Sequence, residues 1–256
     1  MKQIVLTCLA LGLMAGCGGE FSDEATTPSS VTLLTKGAAG TSADTHRLLA
    51  FDKTPDKNCV LNHAFASGDV LTVAAGNYRF VTLADADCFG LPVAGTTEAI
   101  RFDALLALKP DTPLKAVLAS DPAEITYPGT TIYTATLKPA TCLLRLTLAD
   151  APEGLVLSLK NMPSGLSLSG VYPADVATTP YPLQPGDNLC LPTGADAVVE
   201  YREPGEGSAT GTIDLGITFE AGYIYSTRLQ WNEGGLSLKS KVEIWNEGDE
   251  TSGEAS

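Results

Sequence analysis

The sequence predicts an all-β protein built from two tandem β-sandwich domains, and three observations carry that expectation. Gly and Pro are plentiful, at 25 and 16 residues, and charged residues make up only 18% of the 256-residue chain. Thr, Val and Leu recur in short runs, and this balance favours strands and turns over long helices. Two stretches alternate cleanly: Leu144, Leu146 and Leu148 fall on one face of 141–149, and Leu155, Leu157 and Leu159 on one face of 155–160, with Ser158 and Lys160 turned away. Such alternation gives one dry face and one wet face. Near the end, Tyr223, Tyr225, Thr227, Leu229 and Trp231 alternate with Ile224, Ser226, Arg228 and Gln230. After Asn232-Glu233-Gly234-Gly235, the residues Leu236, Leu238, Val242 and Ile244 alternate with polar ones, which predicts a β-hairpin.

The chain opens with Lys2 and an apolar, uncharged run from Ile4 to Met14, the layout of a secretory signal over 1–16. The run is too short for a transmembrane helix, which needs roughly twenty apolar residues. Leu13-Met14-Ala15-Gly16-Cys17 resembles the lipobox of bacterial lipoproteins. The resemblance implies that the Cys17 thiol carries diacylglyceryl, that the chain is cut just before it, and that the new amino end is acylated. Two or three such chains hold a protein to a membrane durably, because each buried methylene contributes about 0.8 kcal/mol. An ordinary signal peptide is the alternative. Residues 17–30 are small and polar, with Glu20, Asp23 and Glu24, and are expected to be a lipidated tether. Acidic residues just after the lipid cysteine resemble an outer-leaflet export signal of Bacteroides-type bacteria.

A first domain is expected over 31–128. Val31 to Thr35 and Arg47 to Asp52 read as strands, with turn residues from Lys53 to Asn58 after them. Val70 to Val73 and Tyr78 to Leu83, separated by Ala75-Gly76-Asn77, read as a hairpin. Glu98 to Leu108 places Phe102, Leu105 and Leu106 on one side, with Thr97 as N-cap and Pro110 as stop, and so predicts a helix. Ala123 to Thr126 and Thr130 to Leu137 are further expected strands. A second domain is expected over 129–246. In it Pro180, Pro182, Pro185 and Pro192 confine the middle to edges and loops, and strands resume at Ala197 to Arg202 and Thr210 to Phe219. The acidic stretch 247–256 is expected to be a disordered tail.

The net charge of −14 argues against nucleic acid or an anionic membrane as a direct binding surface. Cys8 leaves with the signal and Cys17 takes the lipid, so Cys59, Cys88, Cys142 and Cys190 remain in a compartment that permits disulfides. Pairing Cys59 with Cys88 and Cys142 with Cys190 would place one staple in each domain; unpaired buried thiols are the alternative. The spacing never becomes Cys-x-x-Cys, so a zinc or thiol-redox site is not expected.

Glu220-Ala221-Gly222-Tyr223-Ile224-Tyr225, followed by a strand closing on Glu243-Ile244-Trp245-Asn246-Glu247-Gly248, resembles the C-terminal domain of fimbrillin-type lipoproteins of Bacteroides-type bacteria. Leu48-Leu49-Ala50-Phe51-Asp52 and Ala74-Ala75-Gly76-Asn77-Tyr78-Arg79-Phe80-Val81 look like the family's opening strand and its first hairpin. Leu144-Arg145-Leu146 sits where the second domain usually begins. The resemblance implies two transthyretin-like, Greek-key sandwiches and a fimbrial subunit or membrane anchor at the outer membrane, engaging other fimbrial subunits by β-strand addition. It also implies cleavage by a trypsin-like protease near the first strand. Lys36 and Arg47 are the basic positions there, and Arg47 is the more suggestive because a cut after it removes 31–35. One departure matters. Stalk subunits carry a further apolar strand after the Trp-Asn turn, whereas 246–256 is acidic here, which favours an anchor or a non-polymerising relative.

Signs of catalysis are few. The two histidines, His46 and His63, belong to no recognisable catalytic motif, and Cys59 and His63 stand four apart with nothing else to make a dyad. Asp85 and Asp87 could bind Ca²⁺ with neighbouring carbonyls, although loop acids are usually solvated. No cofactor is expected. The reading from another class is a glycan-binding surface lipoprotein, with Trp231, Trp245, Tyr201, Tyr223 and Tyr225 as candidate platforms. Their alternating register suits a core or cross-strand ladder instead.

Overall fold

The computed structural model describes residues 30–37, 46–54, 57–97, 100–205, 210–232, 235–239 and 241–246. Cys17, the expected signal, the acidic tail and all of the expected tether except Ser30 lie outside these residues. The first part holds β1 (Ser30–Lys36), β2 (His46–Asp52), β3 (Cys59–Phe65), β4 (Val70–Thr72), β5 (Gly76–Ala84), β6 (Leu105–Ala107), β7 (Leu118–Ser120), β8 (Ala123–Tyr127) and β9 (Ile132–Pro139). The second holds β10 (Cys142–Ala149), β11 (Val156–Pro163), β12 (Gly165–Ser167), β13 (Thr178–Leu183), β14 (Gly186–Cys190), β15 (Asp196–Arg202), β16 (Thr210–Thr218), β17 (Tyr223–Asn232), β18 (Gly235–Leu238) and β19 (Glu243–Asn246). The all-β expectation holds: the one helical element among the described residues is a 3-10 turn at Ala86–Cys88.

In the first part the strands run β3-β2-β5-β7-β9-β1-β4, with β8 also on β5. β9 links two layers. Its first half pairs with β1 and its second half with β7. By its pairing β9 therefore belongs, as far as Pro139, with the strands of the first part. The layers close on Val31, Leu33, Leu48, Ala50, Phe65, Phe80 and Tyr133. In the second part β14-β10-β17-β18 face β13-β11-β15-β16, and the prolines of β13 sit on a sheet edge as anticipated.

The run Leu48-Leu49-Ala50-Phe51 lacks alternation because β2 is buried on both faces. Leu48 and Ala50 enter the first core, whereas Leu49 and Phe51 enter a second cluster that continues through Leu106 into Leu144, Leu159, Leu166 and Leu191. A single apolar mass thus joins the two sandwiches. Backbone pairing reinforces the join: β6 pairs with β12, and Leu108 N–H donates to Ser164 O at 3.1 Å.

Three local expectations are corrected. Over 100–108 the chain is not helical: a turn at 102–104 leads into the extended stretch Leu105–Ala107, which is β6. Its apolar spacing serves a segment that reaches across to the second part, and an extended residue covers about 3.3 Å against 1.5 Å in a helix. Strands β4 and β5 exist but do not pair with each other: β4 joins β1, and β5 joins β2, β7 and β8. The chain crosses between layers at 73–75, so no hairpin forms. The C-terminal hairpin is real, but its second strand is split, with β18 pairing at Leu229–Asn232 and β19 at Tyr223–Ser226.

The join has a tight point. A Cβ added at Gly165 would lie 2.3 Å from Leu106 O, on backbone that cannot swing away. Gly165→Val should therefore lower stability by about 3 kcal/mol, measured by urea unfolding. Gly90→Ala, where the nearest atom would be 3.5 Å away, should stay within about 1 kcal/mol of the parent.

Candidate functional site

Seven residues of β1 fill a slot between β9 and β4, parallel to the first and antiparallel to the second. Alternation sends Val31 and Leu33 inward, where both are fully buried against a cluster that includes Leu71, Phe80, Tyr133 and Ala135. Further bonds fasten the strand. Leu33 N–H donates to Asp69 O at 2.8 Å, Gly68 N–H to Leu33 O at 2.7 Å, and Thr32 N–H to Thr131 O at 2.9 Å. Gly68 adopts φ +102°, which suits the 66–69 turn to glycine. On the outer side Thr32 lies level with Val70 and Ile132, which are 63% and 59% exposed.

The Lys36 end is held differently. Thr35 N–H donates to Ser67 Oγ at 3.0 Å, and Thr35 Oγ1 lies 3.1 Å from His46 Nε2. His46, the first residue of β2, is buried and packs on Phe65 with ring centroids 5.5 Å apart, and its Nδ1 has no hydrogen-bond partner. Burial pulls its pKa below the ordinary histidine value, while the Asp85 carboxylate pulls the other way. The slot depends on β4, Ser67 and His46, none of which the sequence reading connected with β1; the turn chemistry of Ser67-Gly68-Asp69 was the available signal.

The other residues singled out in the sequence are dispersed. Arg47 lies within β2, paired with Ala64 and Leu83, and its Nη1 donates to Asn62 Oδ1 at 3.2 Å. Lys36 is exposed at the end of β1. Cys59, Cys88, Cys142 and Cys190 are buried and unbridged, and only Cys142 and Cys190 are in register with each other. Cys59 donates its S–H to Leu61 O at 3.1 Å, and burial pushes its pKa up to about 11. A thiol so disposed is the opposite of an activated nucleophile, and His63 is not among its partners.

Asp85 acts on both His46 and Lys115, and Asp87 pairs with Lys115 at 2.8 Å. Among the described residues no group of three or more His, Cys, Asp or Glu side chains could hold a metal ion. The aromatic candidates mostly face inward. Tyr225 is buried and stacks on Phe219 at 4.6 Å, and Tyr201 meets Trp231 edge-on at 5.8 Å. Trp245 is 47% exposed.

No protein-family model matches the chain, and no curated protein matches it in sequence. Solved structures do match in fold. A candidate adhesin from Bacteroides ovatus superposes with a TM-score of 0.56 at 12% identity, covering 86% of this chain and 95% of its own. A candidate polysaccharide-binding protein from Bacteroides thetaiotaomicron gives 0.54 at 13% identity over 86% and 99%. The fimbrial anchor protein Mfa2 from Porphyromonas gingivalis gives 0.53 at 13% identity over 86% and 98%. At these identities the likeness establishes the shared two-part β fold.

The buried imidazole makes the Thr35 end of β1 sensitive to pH. A histidine whose folded pKa is depressed contributes stability that is present above its unfolded value of about 6.5 and lost as pH falls below it. Urea midpoints should therefore drop between about pH 7 and pH 5, and His46→Gln should remove that part of the drop. Parallel curves for the two proteins would show that His46 does not carry it.

Proposed function

We propose that this protein is a lipid-anchored cell-surface subunit or membrane anchor of fimbriae, joined to neighbouring subunits by strand addition at the slot now filled by β1. The carrying observation is the placement of β1: a terminal seven-residue strand, hydrogen-bonded along both edges, whose Val31 and Leu33 complete the first core. A strand of this kind is exchangeable in a way a central strand is not. Its loss leaves two ladders of unpaired backbone groups and an apolar trough, and an extended segment from another chain can satisfy both. Each of the two aliphatic side chains contributes about 1.5–3 kcal/mol when buried, enough to hold β1 in place until a competitor or a protease acts. The fold likeness to a fimbrial anchor protein supports this reading, as does the lipobox-like Leu13 to Cys17, which would moor the chain to the outer membrane ahead of β1.

Position favours Lys36 over Arg47 as the maturation point. A protease must draw several residues into an extended cleft, and Arg47 is locked in a strand paired on both sides, whereas Lys36 ends its strand exposed. Limited trypsin treatment of the folded protein should therefore cut after Lys36 and spare Arg47, as read by N-terminal sequencing of the product.

The glycan-binding alternative is weaker. The fold likeness to a candidate polysaccharide-binding protein favours it, but Tyr225 is buried and Tyr201 and Trp231 are partly covered by each other. The deciding experiment is to cut the protein at the 36–46 connection, remove β1, and offer a synthetic peptide with the sequence of residues 30–36. The trimmed protein should oligomerise or bind the peptide, and Leu33→Asp in the peptide should abolish binding. A trimmed protein that stays monomeric and ignores the peptide would remove the basis for strand exchange.

A further inference from the structure

Cys142 opens β10 and Cys190 closes β14, and the antiparallel register sets them directly opposite each other. Directly opposed residues of an antiparallel pair project to the same face with Cβ atoms about 4.5–5.5 Å apart, within a modest adjustment of what a disulfide requires. The face is the shared core, where Cys142 is 3% exposed and Cys190 is fully buried. The Cys142 thiol already points at its partner's backbone, 3.5 Å from Cys190 O and 3.9 Å from Leu191 O. The other two cysteines are placed differently. Cys59 sits on β3 opposite Phe51 with its thiol on Leu61 O, and Cys88 sits in the 3-10 turn with its sulfur near the backbone of Lys115.

We propose that Cys142 and Cys190 form a cross-strand disulfide in the exported protein, while Cys59 and Cys88 remain thiols. The two thiols lose two protons and two electrons as the S–S bond forms. The electron pair passes to an oxidant of the thiol–disulfide exchange class, whose own S–S bond breaks to two thiols. Exchange needs a thiolate, and burial pushes Cys190 up to about 12 and Cys142 well above the usual thiol range. The bond therefore forms before the second sandwich closes over the pair, and once closed it is shielded from reductants. It ties β10 to β14 beside the join between the two parts. The inference depends on export to an oxidising compartment and not on fimbrial assembly, so the two can fail separately.

The test is peptide mapping of the full-length protein, isolated from cell envelopes under alkylation without reductant and, in parallel, refolded with oxidised glutathione. The expected result is a linked pair of peptides containing Cys142 and Cys190, a mass lower by two hydrogens, and alkylation of Cys59 and Cys88 after denaturation. The linked protein, reduced in denaturant and refolded with its thiols free, should melt roughly 10 °C lower, and a Cys142→Ala, Cys190→Ala double variant taken through the same treatment should be unmoved. Four alkylated thiols, or a bridge that includes Cys59 or Cys88, would overturn the proposal. Should the double variant fail to fold, the peptide map of the parent decides alone.

Discussion

A strand inside a sheet must have its backbone groups paired on both sides, and around β1 that requirement governs the first sandwich. β9 and β4 do not pair with each other. They are neighbours only because β1 lies between them, accepting a parallel ladder from one and an antiparallel ladder from the other. Without β1, β4 would hang as three residues with no partner, and the inner faces of Tyr133, Ala135 and Leu71 would open to water. Sheet edges in solution attract other strands for the same reason. The property that makes β1 structurally necessary is also the one the proposed strand addition would use.

Behind β1, β2 and the second half of β5 are buried on both sides. Leu49, Phe51, Val81 and Leu83 lie in the mass shared by the two parts, while Leu48, Ala50 and Phe80 line the core that β1 completes. A change at β1 thus reaches one face of these strands while the other stays clamped by the second sandwich. Charge does little here: ion pairs such as Lys115 with Asp87 and Lys138 with Asp121 lie on exposed side chains, where such pairs contribute little. The net charge of −14 bears on solubility and on partner choice more than on the fold.

Much of this was legible in the sequence because side-chain periodicity is a local property. Leu144, Leu146 and Leu148, or Tyr223 to Trp231, declare their strands without any knowledge of their partners. What was hidden is non-local. Val70 to Thr72 and Tyr78 to Leu83 read as a hairpin, yet they lie in different layers, because β4 is needed beside β1 and that pairing spans some forty residues. Phe102, Leu105 and Leu106 carry helix-like spacing, yet the segment is drawn out by the demand of Leu166 and Ser167 for a partner strand. β9 looks like any alternating strand, and nothing local in it shows that it serves two layers at once. At the candidate site the inward residues Val31 and Leu33 were visible, whereas the contributions of His46, Ser67 and Asp69 depend on which ends the fold brings together.

The direction of β1 also has a mechanical meaning. Because β1 runs parallel to β9, its Lys36 end lies toward Pro139 and the join, and its Ser30 end lies at the far end of the first sandwich. Under the proposed anchoring, a load carried from the membrane enters at Ser30 and acts along the strand. Its ladder bonds to β9 and β4 then resist together in shear, and are not opened one at a time as in a hairpin pulled from its end. Val31 and Leu33, the first two inward residues behind that end, bear the load before any other part of the core does. Under the same proposal, a cut behind Lys36 would sever β1 from β2 and leave the tether joined to the rest of the chain only through those two ladders.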